Sequence, residues 1–254
     1  KIKFFKVALC TADPYKGAAD PDFSTCSNIF NDTSGVEKTL KPDTETDLLD
    51  GNLLLPVGTY PYLVVTVDNH LKIKHKQKYV LASDGTSPAT IYGNSSGSGQ
   101  FCWTVAAGIT TYTGQTYDSD YATAQGVTPV ASGEGTTNAR LKCGSSVSGK
   151  GFATEIIDHF GEDATFVGFM NYGELDVATD TGISGIELAG NMLQADNTIA
   201  TNEDHSRRIA QIYRYATPVV ITENTNSFKL KVTTYSSVSI DMATDANASH
   251  RIYG

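Results

Sequence analysis

Any chemistry in this chain has to come from its histidines, its acidic turns, one serine motif and its cysteines. Of the five histidines, His159 sits between Asp158 and Glu162, and His205 follows Glu203 and Asp204. An imidazole held by a carboxylate can act as a general base or ligate a metal. Neither stretch supplies a second ligand at i+4 or the H-E-x-x-H pattern of a zinc hydrolase. Acidic loops place carboxylates beside most histidines by chance, so both are read as loop residues. Gly93-Asn94-Ser95-Ser96-Gly97 has the letters of a nucleophile elbow. That elbow needs a buried strand before it and a helix after it; here Gly-Ser-Gly follows, and a loop is expected. The expectation is of no catalytic residue and no enzyme activity.

Hard oxygen ligands on turns are what calcium needs. The candidates are Asp43/Glu45/Asp47/Asp50, Asp118/Asp120, Asp176/Asp180 and Asp241/Asp245. None completes an EF-hand, so no cofactor is expected beyond a structural calcium ion. Asn31-Asp32-Thr33, Asn94-Ser95-Ser96 and Asn247-Ala248-Ser249 are glycosylation triplets in expected loops. Tyr112, Tyr117 and Tyr121 lie in a Tyr-rich stretch that could stack on sugars.

The four cysteines, Cys10, Cys26, Cys102 and Cys143, form no CxxC pair, and no histidine lies at ligand spacing from them, which argues against zinc. An even number of widely spaced cysteines in a Ser/Thr/Gly-rich acidic chain reads as two disulfides and an oxidising compartment. Of three possible pairings, Cys10–Cys26 with Cys102–Cys143 is favoured, because each bond would close a turn-rich loop between strand candidates. Such closures are worth roughly 3 and 4 kcal/mol in the chain-entropy model.

The elements that would position these residues are strands. From Leu71 to Tyr79 the chain alternates, with Lys72, Lys74, Lys76 and Lys78 on one side and Leu71, Ile73, His75, Gln77 and Tyr79 on the other, the period of a strand with one wet face. His75 thereby falls on the covered side. Tyr60 to Val67 is β-branched and aromatic on both sides of the pleat, as in a strand covered on both faces. Asp68-Asn69 tolerates a tight turn, so residues 58 to 79 are expected to form a β-hairpin. Residues 1 to 11 read as a strand with a bulge near Phe4-Phe5, where the alternation changes phase. Residues 12 to 35 read as loop, followed by a short strand from Val36 to Leu40. Further strands are expected over Phe101–Ala107, Asp163–Met170, Ile209–Thr222 (broken at Pro218) and Phe228–Met242. Residues 152–160 and Ile186–Leu193 are the two helix candidates.

With 254 residues, 40% hydrophobic content, 19% charged residues and 23 glycines, the chain reads as all-β. An antiparallel β-sandwich with long loops and at most two short helices is the expected fold. One domain over 1–254 is expected, with a loop-rich insertion at about 83–150. A net charge of −9 argues against nucleic-acid partners. No apolar run is long enough for a membrane-spanning helix. A strand pattern that begins at Lys1 suggests a mature secreted chain after signal-peptide removal.

Lys6 to Cys10 (KVALC), Leu55 to Tyr60 and Leu63 to Lys74 together resemble a group of secreted β-rich proteins of marine bacteria, with a K-V-x-L-C start and an L-P-x-G-x-T/Y segment before an alternating strand. TPVVITENTNSFKLKVTT is similar to their closing hairpin. The style also resembles subunits of extracellular fibres in which β-sandwich domains join by strand addition. The resemblance implies a surface or extracellular protein and carries no functional residue.

The function expected is a secreted structural subunit that homopolymerises by β-strand addition. Its assembly strands would contain Ile2, Phe4, Phe5, Val7 and Leu9, or Phe228, Leu230 and Val232. The lysine row, Lys72 to Lys78, would either blunt a sheet edge or meet acidic loops of a neighbour. The alternative is an adhesin or carbohydrate-binding module.

Overall fold

The structure is a computed structural model that describes residues 1–41, 44–48, 55–78, 101–105, 125, 141–144, 146–160, 166–175, 177, 183–230, 241–244 and 250–253. The chain divides into two compact units. One comprises Lys1–Leu71 and Ile157–Thr233, the other Lys72–Ile156 and Thr234–Gly254. The stretch at 83–150, expected to be an insertion, lies within the second.

The fold is all-β. The first unit is built on a six-stranded antiparallel sheet. Its strands are β1 (Ile2–Cys10), β2 (Cys26–Lys38), β3 (Gly58–Asp68), β9 (Phe169–Met170), β10 (Ile186–Leu193) and β11 (Arg208–Ile221), in the order β2-β1-β3-β11-β10-β9. Strand β3 lies inside this sheet. Leu63, Val64, Val65, Thr66 and Val67 are all at most 6% exposed, so both of its faces are covered. That is why its sequence is apolar on both sides of the pleat instead of alternating. Leu63, Val65 and Val67 pack with Phe4, Val7, Leu9, Met192 and Ile209 in the larger core cluster. Val64 faces the other way, with Cys10 and Ile212.

One feature of β1 was legible in its letters. Its register against both β2 and β3 shifts between Phe4 and Lys6, at the expected bulge. The same bulge is matched on β2, where Phe4 pairs with Val36 but Lys6 pairs with Asn31. The extra residues turn tightly: Asp32 Oδ1 accepts from the backbone N–H groups of Ser34 and Gly35, and Gly35 has φ +72°. A Cβ on Gly35 would sit 2.7 Å from Lys3 Cε and Phe5 Cε1, so glycine is required for both conformation and space.

Four expectations are corrected. The 58–79 hairpin does not form. Strand β3 has β1 on one edge and β11 on the other, so no edge is left for the strand that follows it. Asp68-Asn69 instead sends the chain away: Asp68 Oδ1 accepts from His70 N–H, and the Asn69 amide donates to the Ser206 carbonyl. Strands β4 (His70–Ile73) and β5 (Lys76–Lys78) divide the lysine run; β4 pairs with β8 (Ala153–Ile156), and β5 with β6 (Phe101–Thr104). The helix candidate at 152–160 contains β8; Thr154, Ile156 and Ile157 are β-branched, and one or two turns cannot repay helix nucleation. The helix candidate Ile186–Leu193 is β10. Gly190 weakens a helix there, and in the strand its bare Cα leaves room for the Phe160 ring, 2.7 Å from where a Cβ would stand. Finally, residues 26–35 belong to β2, a 13-residue edge strand whose mostly polar composition hides it among loops.

In the second unit, β5, β6 and β7 (Leu141–Gly144) form a three-stranded antiparallel sheet, and β12 (Asp241–Thr244) pairs with β13 (His250–Tyr253). Trp103 is buried, and its indole N–H donates to the Ser148 carbonyl at 2.8 Å.

Leu63→Ala tests the placement of β3. A buried leucine at a site that cannot collapse costs about 2–5 kcal/mol when truncated. Chemical denaturation is expected to show a loss in that range; a change below about 0.5 kcal/mol, the surface value, would contradict an interior β3.

Candidate functional site

The face of the first unit's sheet that carries Cys10, Val64 and Ile212 is overlaid by the loop from Thr11 to Thr25, whose Tyr15 and Phe23 pack on it. A disulfide between Cys10 and Cys26 closes this loop at its root, and the same two residues are register partners at the end of β1 and the start of β2. The loop is held internally: Asp22 N–H donates to the Pro14 carbonyl at 2.9 Å, and Tyr15 N–H donates to Asp13 Oδ1. It is also tied outward. Asn191 on β10 donates to the Gly17 carbonyl at 2.9 Å, and Ile199 N–H donates to Asp20 Oδ1 at 2.8 Å.

At one end of the loop stands a connected group of polar and aromatic side chains. Tyr172 donates its hydroxyl to Asp13 Oδ1 at 3.0 Å, and Tyr15 donates to Asn171 Oδ1 at 2.8 Å. The two rings meet edge to face, with centroids 5.4 Å apart. The Arg214 guanidinium lies 4.2 Å from the Tyr172 ring centre, and its Nε donates to Glu187 Oε2 at 2.6 Å. The antiparallel register dictates this pair, since Glu187 faces Arg214 across β10 and β11. Beside it a groove is lined by Gly185, Ile186, Glu187, Arg214, Tyr215 and Ala216.

The electrostatics keep the phenols of this group protonated and its guanidinium charged. Burial, then the Asp13 carboxylate, pushes the Tyr172 phenol up, so it stays protonated and serves as a donor. Burial also raises Tyr15, with Glu174 and Asp13 adding to it. The hydrogen bond to Glu187 holds Arg214 more firmly charged. A ring backed by a guanidinium and rimmed by carboxylate and amide groups can stack on and hydrogen-bond a flat polar ligand.

The sequence candidates are dispersed. His159 Nδ1 lies 2.7 Å from Asp158 Oδ1, its chain neighbour, and His205 Nδ1 lies 3.0 Å from Thr201 Oγ1. Ser206 Oγ donates to the Asp158 backbone carbonyl at 2.7 Å, which commits its hydroxyl to structure. His75 is half-buried in the second unit; its backbone N–H donates to Thr104 Oγ1 at 2.9 Å. Among the described residues, no three His, Cys, Asp or Glu side chains group to hold a metal. Glu45 receives Lys229 at 2.6 Å. Asp43, Asp50, Asp118, Asp120, Asp176, Asp180 and Asp245 lie outside the described residues, as do Ser95, Tyr112, Tyr117 and Tyr121.

Cys102 and Cys143 are register partners across β6 and β7. Lys74 and Lys76 are exposed and lie over the Phe152 and Phe101 rings at 5.5 and 6.0 Å; Lys72 is half-buried, and the Lys78 side chain is outside the described set. Phe4, Phe5, Val7 and Leu9 are buried and Ile2 packs on the core, in a strand paired along both edges. Phe228 and Leu230 pack on the same core from outside any strand; Val232 is outside the described residues. Asp13, Tyr15, Tyr172, Glu187 and Arg214 escape a linear reading because they come from distant stretches that only the sheet order brings together.

Comparison of the chain with family models, curated proteins and solved structures finds no match.

Burial of phenols sets an alkaline limit. Tyr213 is pushed up to about 12, first by burial and then by Tyr215, whereas an unfolded tyrosine titrates near ~10. A raised folded pKa means that the native state holds its proton longer. Its contribution to stability is complete below pH ~10 and is lost as pH rises toward 12. Stability measured against pH is expected to fall across that window with a component absent from Tyr213→Phe; an identical alkaline slope in that variant would contradict the burial of this phenol.

Proposed function

We propose that this chain is a structural subunit of an extracellular assembly whose copies join by β-strand addition. The observation that carries the reading is the outer edge of β2, a long strand that has only β1 beside it among the described residues. An exposed edge of that length is a template for a neighbour's backbone. The Asp32–Gly35 turn interrupts it, so an incoming strand would be confined to the stretch from Cys26 to Asn31, next to the disulfide. That restriction gives the joint a fixed register. Strand β1, with both edges occupied, is better suited to backing this edge than to being the joint. The disulfide supports an oxidising, extracellular setting, and no helix among the described residues is long and apolar enough to cross a membrane.

A second reading, a sugar-binding surface module, is favoured by the Tyr15–Tyr172–Arg214 group with its carboxylate and amide rim. It differs from the first in needing a ligand other than the chain itself.

Asn28 and Asn31 are exposed on β2, and lysine at such positions blunts an edge. Light scattering and negative-stain imaging are expected to show concentration-dependent polymers of the native chain. The Asn28→Lys/Asn31→Lys variant is expected to remain monomeric, with stability within about 0.5 kcal/mol. A native chain that stays monomeric at high concentration, while binding a glycan through Tyr172, would replace the first reading with the second.

A further inference from the structure

Beneath the Thr11–Thr25 loop, one row crosses four strands of the sheet. Lys6 faces Thr66, Thr66 faces Ala210, and Ala210 faces Asn191. Register partners project to the same side of a sheet, so these four side chains share the face that the loop covers. Thr66, Ala210 and Asn191 are at most 1% exposed. Yet neither Thr66 Oγ1 nor Asn191 Oδ1 meets a hydrogen-bonding group of the protein among the described residues. The amide end of Asn191 is fixed on the Gly17 carbonyl, which orients its oxygen away from that contact.

Two orphan oxygens in a dry interior are expensive, because each forfeits its hydration without replacement. Nearly all buried polar atoms in folded proteins are satisfied by protein or by ordered water. Between these two in the row stands Ala210, whose side chain is a single methyl group. Two strand spacings, roughly 10 Å between the Thr66 and Asn191 backbones, exceed the reach of one bridging molecule but suit two in series.

We propose that this row is a binding site for a pair of internal water molecules, held between Thr66 Oγ1 and Asn191 Oδ1 over Ala210. The threonine hydroxyl both donates and accepts, and the asparagine oxygen accepts, so the pair can be polarised in a single direction. Through Asn191 it is coupled to Gly17, making the solvent part of what holds the loop on the sheet. The proposal is independent of how copies of the chain meet.

A crystal structure of the full chain that resolves ordered solvent is expected to show density within hydrogen-bond distance of both oxygens. Thr66→Val removes the hydroxyl while keeping the shape and the strand preference. With bridging water present, the variant strands the remaining network, and the thermal midpoint is expected to fall by on the order of 2–4 °C. Were the row dry, valine would relieve an unpaired buried hydroxyl and the midpoint would rise. A rise in midpoint overturns the proposal. So does native density empty at both oxygens, which decides the matter if the variant does not fold.

Discussion

The first unit depends on one constraint: β3 must be paired along both edges and buried on both faces at once. A strand with Leu63, Val64, Val65 and Val67 pointing both ways cannot serve as an edge or as one arm of a solvent-exposed hairpin. Strands β1 and β11 supply the pairing from far along the chain in either direction, and their own inward residues supply much of the packing. Each buried aliphatic side chain contributes about 1.5–3 kcal/mol relative to exposure, so this short run supplies a large share of what holds the unit together.

The two faces are completed differently. One receives apolar side chains from irregular segments, including Leu40, Leu48, Phe160, Phe166 and Phe228. The other lies under the disulfide-closed loop and is held by polar contacts: Asn191 to Gly17, Ile199 to Asp20, Tyr172 to Asp13. Arg208 shows how such a face tolerates charge. It is 8% exposed, stacks 3.9 Å from the Phe5 ring centre, and donates to Asn197 Oδ1 and the Thr33 carbonyl. The bulge in β1 brings Phe5 to that side, and the turn at Gly35 makes room for it. A backbone irregularity visible in the sequence thus has a side-chain consequence that was not.

Legibility followed the physics of local patterns. The bulge at Phe4-Phe5, the two-sided burial of Tyr60–Val67, the strand over Ile209–Thr222 and the Cys10–Cys26 bond could be read because each leaves a mark within a few residues. The partner of β3 could not, since Asp68-Asn69 is equally compatible with a hairpin turn and with a turn into a different sheet. Occupancy of both β3 edges decides between them, and that is a property of residues far along the chain. Strand β2 was hidden because an edge strand needs little apolar content. Strand β10 resembled a helix because its apolar positions, 186, 188, 189, 192 and 193, fit both periods. The Tyr172–Asp13–Arg214 group was invisible for a related reason: its members share a neighbourhood only after the sheet is ordered.

The central claim is therefore about β3, and amide hydrogen exchange followed by NMR tests it most directly. If β3 is paired on both sides, the amides from Leu63 to Val67 should be among the slowest to exchange and open only with global unfolding, and cross-strand contacts should link them to β1 and β11. Rapid exchange on one edge of β3, with cross-strand contacts to Leu71–Tyr79 instead, would contradict the account.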